Sequence, residues 1–481
     1  MGKNYLHKSF FFIFCITLIF SLLSIVDYDS IDSPFSIKPI RFFSDILKTD
    51  SKVQNESDSI FTFEPKNDSL AQILLKDTLT ISLRDSTKKA KHRKRIRPPL
   101  SKVEVFQNFS DSDFPLENFF YKLSESKQGK SKVRIAWFGD SFTDADIVVS
   151  DMRDTLQSVY GGNGVGFMPI TYECPGFRRS VIHSFKGWNA SSIIARKGSK
   201  DFGINGSVYF PDSLNSFNLA GSRRFKHTRK FDIFRLFYSS SIDLDVQILI
   251  NDTVKKTLVL KASSIPNMVS MDMSNMHKVK INIPEKSDAA FYGASLEDKT
   301  GIYIDNFSIK GNSGLGLLAI PNENLMAFDS LLNYDLIVLQ FGLNAVNSDT
   351  RSYKSYMHGM SVLIDKFQKT FPGTPIVLMA VSDRSERLQG EYVTMKSIIG
   401  LVNAQKELAK KHAVLFWNLY QAMGGENSMA DYVQSKPPLA NKDYTHLNFI
   451  GGKYIGLKFA RSLIYEGSKY PDKSKGDSIE N

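Results

Sequence analysis

Four strand-like, mainly apolar runs limit what this chain can fold into. They occupy residues 133–138, 334–340, 375–381 and 414–417. A strand that is apolar on both faces is one covered on both faces, as in a parallel sheet buried between helices. The intervening segments have helical spacing. In 151–160, Met152, Leu156 and Val159 share a face, while 353–371 is amphipathic and stopped by Pro372-Gly373. Segments 392–412 and 454–465 read as two more helices. Strands alternating with helices imply an α/β domain built on a parallel sheet.

The alternation breaks between about 176 and 305. Residues 231–238, 244–250, 256–261 and 279–283 show period-two patterning, with turn residues such as Asn251-Asp252 between them. Short strands spaced in this way predict a β-sandwich. The economical arrangement is an α/β domain split in sequence (101–175 and 301–470) by an inserted β-rich domain (176–300), with a short tail over 471–481. No internal repeat is present.

The N-terminal hundred residues differ from the rest. Lys3 and Lys8 precede an uninterrupted apolar run over 10–26, and no small-residue cleavage site follows it. Positive charge ahead of an apolar segment suits a signal peptide or signal anchor. At 17 residues the run is on the short edge of what spans a bilayer. We expect an uncleaved anchor over 1–27, placing the remainder outside the cytoplasm, periplasmic and tied to the inner membrane. Residues 28–100 are rich in Ser, Asp and Lys without sustained periodicity, and read as a disordered tether. The net charge of +11 suggests nucleic acid or an anionic surface. Much of the excess, however, is one run, Lys88, Lys89, Lys91, Arg93, Lys94, Arg95 and Arg97, which reads as a solvated linker. No nucleic-acid partner is expected. Of two cysteines, Cys15 lies in the apolar run, which leaves Cys174 with no intramolecular disulfide partner in the folded part.

Four segments carry candidate chemistry. Gly139-Asp140-Ser141 follows the first strand, where a serine on a strand-to-helix turn exposes its hydroxyl and can offer its own N–H to an oxyanion. Gly311 ends a strand-like run, where bare backbone can approach a ligand. Asn344 closes the 334–340 strand and carries an amide donor. Asp443 and His446 stand three apart on one loop: a serine needs a base to take its proton, and a carboxylate fixes the imidazole tautomer. Histidines 183, 227, 277, 358 and 412 have no such companion at a strand-to-helix junction and read as surface or packing residues.

Taken together and in this order, the four segments resemble the blocks of the SGNH hydrolases, also called GDSL esterases. The resemblance covers roughly 131–170 and 301–465 and implies a flavodoxin-like parallel sheet. It also implies Ser141 as nucleophile, His446 as base, Asp443 as its orienting acid, and Ser141 N–H, Gly311 and Asn344 as oxyanion donors. Ala345 departs from the acidic residue usual after the Asn, without removing a principal catalytic group. A narrower resemblance, in Asp140-Ser-Phe-Thr-Asp-Ala-Asp146 and Gly161-Gly-Asn-Gly-Val-Gly-Phe167, is to the peptidoglycan O-acetylesterase branch, whose members insert a β-sandwich at this place. It implies an exported esterase acting on an acetylated envelope glycan, with no metal and no cofactor. The same residues would serve an O-acetyltransferase, and a vestigial triad would leave a non-catalytic, anchored glycan-binding protein. No P-loop, dinucleotide fingerprint, zinc-protease motif or Gly-x-Ser-x-Gly elbow is present.

Overall fold

Residues 133–138 do form a strand, and the other apolar runs line up beside it. The computed structural model describes residues 100, 102–195, 201–283 and 288–470. The expected anchor (1–27), the tether with its basic run (28–100, all but its last residue) and the tail (471–481) lie outside the described residues. Among the described residues no helix is long and apolar enough to cross a membrane.

In chain order, β1 (Gln107–Asn108) and α1 (Glu117–Lys127) lead into β2 (Lys132–Gly139) and α2 (Val149–Tyr160). Then come β3 (Gly166–Met168), β4 (Val181–Ser192), β5 (Ser207–Gly221), β6 (Phe231–Ser240), β7 (Leu244–Ile250) and β8 (Val254–Leu260). These are followed by β9 (Ser263–Met276), β10 (Lys278–Asn282), β11 (Ala290–Glu297) and β12 (Gly301–Asn306). The chain continues through α3 (Asn322–Leu332), β13 (Leu336–Gln340), α4 (Lys354–Thr370), β14 (Ile376–Met379), β15 (Ser385–Leu388) and β16 (Glu391–Thr394). It ends with α5 (Lys396–Lys411), β17 (Leu415–Trp417), α6 (Leu419–Met423), α7 (Ser428–Gln434) and α8 (Phe449–Gly467).

The first sheet runs β1-β17-β14-β13-β2-β12. Its ladders are parallel except at the edge, where β1 pairs antiparallel with β17. Counting only the parallel strands in chain order, the spatial order is 2-1-3-4-5, that of flavodoxin-like doubly wound sheets. Every residue of β2 after Lys132 is buried, as a strand covered on both faces requires. One element departs from the sequence reading: 392–412 is not a single helix. Tyr392-Val-Thr belongs to β16, which pairs with β15 across Gln389-Gly390, both at positive φ (50° and 91°), and the helix begins only at Lys396. Aromatic and β-branched residues beside a two-residue turn of that conformation favour a hairpin over a helix.

Strands β3 to β11 build a second, nine-stranded antiparallel sheet whose main path is β8-β7-β10-β5-β11-β6-β9. Its two ends, β8 and β9, are joined by only Lys261 and Ala262, so the sheet must curl until its edges approach at that corner. Two separate facing sheets were expected. The hydrogen bonding is instead continuous, because the long β5 pairs with β4, β10 and β11 along its length. Alternate residues, such as Val246, Ile248 and Ile250 on β7, point into the sheet's own apolar core.

A buried charged cluster ties the two sheets together within one compact unit. Arg134 on β2 donates to both carboxylate oxygens of Asp305 on β12 (3.0 and 2.8 Å) and pairs with Glu297 at the end of β11. Glu297 also takes Lys132 (3.1 Å) and Arg235 of β6 (2.7 Å), and Asp305 accepts from Tyr334 and the Phe167 N–H.

Candidate active site

The order of the parallel strands reverses between β2 and β13, and open α/β sheets gather their sites outside the carboxyl ends of the strands at such a point. Ser141 stands two residues beyond β2. Its turn is held from below. The Phe142 N–H donates to Asp140 Oδ1 (2.9 Å), and the Thr143 hydroxyl donates to Gln340 Oε1 at the end of β13 (3.1 Å). Thr143 also bonds Ser308 Oγ (2.6 Å), Asn306 Nδ2 donates to the Thr143 carbonyl (2.9 Å), and the Ile309 N–H donates to the Gly139 carbonyl (3.1 Å). The ends of β2, β12 and β13 are thereby fastened around the serine. Beyond the turn, Ala145 and Asp146 adopt left-handed backbone (φ 55° and 61°), a costly conformation for residues with a Cβ. It persists because the buried Asp146 carboxylate takes donors from three segments: Arg153 (2.9 Å), Ser180 (2.6 Å) and Asn306 (3.0 Å).

His446 comes from a loop between α7 and α8. Asn448 caps α8 by accepting the Ile450 and Gly451 N–H groups (3.0 Å each), which fixes where the helix starts. Gly452 and Gly456 let that helix sit directly on the backbone leaving the serine turn: a methyl at either would collide with the carbonyl oxygen of Ile147 or Val148. On the other flank Tyr444 stacks on Tyr392 of β16 (centroids 3.5 Å, planes 7° apart), and its carbonyl accepts the Ser385 N–H (3.0 Å).

The result is a relay. Ser141 Oγ lies 2.9 Å from His446 Nε2, and His446 Nδ1 lies 2.8 Å from Asp443 Oδ2. An ionised carboxylate only accepts, so Nδ1 carries the proton and Nε2 is the free base facing the serine hydroxyl. Partial burial works against charge on Asp443, but the His446 and Thr445 N–H groups and the imidazole hold its carboxyl below the usual range. Asp140 behaves oppositely. It is fully buried, one oxygen has no hydrogen-bond partner, and burial pushes it up to about 6 against donors from Phe142, Gln340 and Leu343.

Gly311 lies on the exposed turn after β12 at φ 74°, and Asn344 is exposed after β13. Asn344 Nδ2 donates to the carbonyl of Asn312, the neighbour of Gly311 (3.1 Å), so these two segments meet. No hydrogen bond among the described residues joins either of them to Ser141 or His446. Of the other histidines, His277 and His358 are exposed, His183 is buried against Phe185 and Phe217, and His227 pairs with Asp154. His412 forms a second Ser–His–Asp set, with Ser361 Oγ at 2.6 Å and Asp365 at 3.1 Å. Ser361, though, is buried in the middle of α4, where its N–H is committed to the helix ladder and cannot bind an oxyanion. Position in the fold, more than distance, separates the two sets.

Sequence reasoning missed the support of the serine turn: Asp140, Thr143, Gln340 and Asn306 beneath it, and Tyr172, Arg178 and Ser180 from the segment entering the second sheet. Tyr172 donates to Asp144, and Arg178 lies 3.8 Å from Asp146. The signal was partial: Asp140, Thr143, Asp144 and Asp146 all stand in the stretch that carries the resemblance, but their partners are 28 to 200 residues away.

No protein-family model matches the sequence, and no curated protein matches it. Among solved structures, one described as "Peptidoglycan O-acetylesterase in action" matches with a TM-score of 0.63 at 19% identity, over 76% of this chain and 99% of that one. An acetyl xylan esterase aligns over 33% of this chain and 79% of its own (20% identity, TM-score 0.26). A Parabacteroides merdae structure whose description includes "GDSL-like lipase" aligns over 34% and 74% (14% identity, TM-score 0.27). The first likeness shows the fold, and the fold implied by the SGNH/GDSL resemblance is the one found.

Proposed function

We propose that this chain is an exported serine esterase that removes O-acetyl groups from a cell-envelope glycan. The observation that carries the reading is the continuous Ser141–His446–Asp443 relay at the carboxyl ends of the parallel strands. His446 Nε2 takes the Ser141 proton as Oγ attacks the acetyl carbonyl. The tetrahedral oxyanion is held by the Ser141 and Gly311 N–H groups and Asn344 Nδ2. The ester C–O bond then breaks, the sugar oxygen takes the proton from His446, and acetyl-Ser141 remains. Water, deprotonated by His446, attacks this second ester; acetate leaves and Ser141 recovers its proton. Asp443 stays ionised and steadies the imidazolium.

The carbohydrate substrate is supported by the fold shared with a peptidoglycan O-acetylesterase. In this reading residues 10–26 anchor the chain to the inner membrane, 28–100 tether it, and 176–300, which supply every strand of the curled sheet but β3, are an insertion in the hydrolase domain that faces the glycan. A fluorophosphonate probe tests the nucleophile. Peptide mapping is expected to place the adduct on Ser141 in the full chain and to find it lost in His446→Ala. An adduct elsewhere, or labelling that survives without His446, overturns the assignment.

A further inference from the structure

The arginines packed beside the serine turn have counterparts. Arg153 and Arg178 face the Asp146 carboxylate, and Arg179 lies over the Phe449 ring, 4.3 Å from its centroid. Arg384 differs. It stands beyond the end of β14, half-buried, and its guanidinium touches the fold through Nη1, which donates to the Leu343 carbonyl at a long 3.4 Å. Among the described residues no carboxylate pairs with it. The acid beside it in sequence, Asp383, is committed elsewhere. Its two oxygens accept the Arg384 and Met429 N–H groups and the Thr394 and Ser428 hydroxyls.

The position of this spare cation is fixed, and it is close to the relay. The Arg384 N–H is held by Asp383 (2.9 Å), and its carbonyl accepts the Met395 N–H (2.9 Å). Leu343, which the guanidinium touches, directly precedes Asn344. Ser385, the next residue along, donates its N–H to the carbonyl of Tyr444 (3.0 Å), and Tyr444 directly follows Asp443. Arg384 therefore bridges the loop that carries Asn344 and the loop that carries Asp443 and His446. It does so on the β14 side of the sheet, across β2 from β12.

The chemistry of the group restricts its partner. A guanidinium stays charged and presents five N–H donors in a plane, of which the Leu343 carbonyl takes one, weakly. The rest suit a planar acceptor that can take two parallel N–H bonds. Glu386 and Glu391 on the β15–β16 hairpin and Asp443 on the adjoining loop place negative charge nearby, which opposes a dianion. A single carboxylate satisfies the fork without a second charge to accommodate.

We propose that Arg384 binds a carboxylate carried by the same molecule as the ester, making the substrate an acidic acetylated glycan rather than a neutral one. The link to the ester rests on the esterase reading; recognition of the carboxylate does not. Anchoring the substrate beside Asn344 and His446 would help to seat its ester against Ser141.

The test uses the full chain and soluble O-acetylated peptidoglycan fragments, with their carboxylates free or converted to amides. Wild type is expected to show a kcat/KM about tenfold or more higher on the free acids, the scale of a hydrogen bond to a charged group. That ratio should shrink as salt is added. It should fall towards one in Arg384→Gln, and Arg384→Lys should keep part of it. A purely structural role for Arg384, or a role on the oxyanion, would lower turnover of both fragments together and leave the ratio as it was. The same pair of fragments is then bound by calorimetry to the Ser141→Ala chain, with and without Arg384→Gln. The free acids should bind about tenfold more tightly, and the substitution should abolish the difference. Binding indifferent to amidation, or a difference that survives Arg384→Gln, overturns the proposal, whatever the esters show. Arg384-dependent binding of the acids by a chain that hydrolyses no ester would keep the carboxylate site and sink the esterase.

Discussion

Removing the Ser141 hydroxyl should separate chemistry from stability. The side chain is half-buried, so Ser141→Ala is expected to cost about 10³-fold or more in ester turnover while the folded state shifts by under about 1 kcal/mol; matched denaturant melts and initial rates would check both. Asp443→Asn should cost roughly 10²- to 10⁴-fold, because an amide can no longer enforce the Nδ1–H tautomer. Asp140 gives a different signal. Its folded value, about 6, is above the ordinary 3.8, so the folded state holds the proton that the unfolded state has already lost. Wild-type stability should therefore fall, relative to Asp140→Asn, as pH rises from about 4 to about 6, and the gap should stay constant above that, near 3 kcal/mol in total. A flat difference over that window would show that Asp140 titrates normally. Ser141, Asp443 and His446 were legible in the sequence because the short segments that carry them, taken together and in order, resemble the SGNH blocks. Asp146 was not: its meaning lies in Arg153, Ser180 and Asn306, two of which arrive from beyond the next helix.

Among elements, the strained passage from the serine turn into α2 is testable directly. Ala145 holds φ 55°, so Ala145→Gly should leave stability unchanged or raise it by about 1 kcal/mol. A clear loss in a thermal melt would mean that the methyl packs usefully despite the backbone cost. The opposite holds on α8: Gly452→Ala forces the helix off the Ile147 carbonyl and should destabilise by about 1–3 kcal/mol while also lowering kcat, because His446 rides on the loop before that helix. The central strands were legible because burial on both faces leaves nothing but apolar residues. Long strands such as β4 and β9 were not. Many of their residues face solvent, where Ser, Asn and Lys say little about conformation. The start of α5 was misplaced because Tyr392, Val393 and Thr394 fit a helical period by spacing, while the Gln389-Gly390 turn decided for a hairpin.

For the whole molecule, the Arg134 cluster implies that the two sheets do not unfold independently. Arg134→Met leaves Glu297 and Asp305 buried with less positive charge, and should cost about 3–5 kcal/mol. Wild type should melt in one transition by both circular dichroism and tryptophan fluorescence, the tryptophans lying on β2, β4 and β17. Two separated transitions would show that the sheets are autonomous. That coupling was invisible in the sequence, since Arg134, Arg235, Glu297 and Asp305 are ordinary charges until topology brings them together. The central claim concerns chemistry, and one assay reaches it. Acetate release would be followed from O-acetylated peptidoglycan and from a chromogenic acetyl ester, with the full chain beside Ser141→Ala. The account predicts release from both by wild type and from neither by the variant. Equal behaviour of the two proteins, whether both are active or both inert, would contradict it.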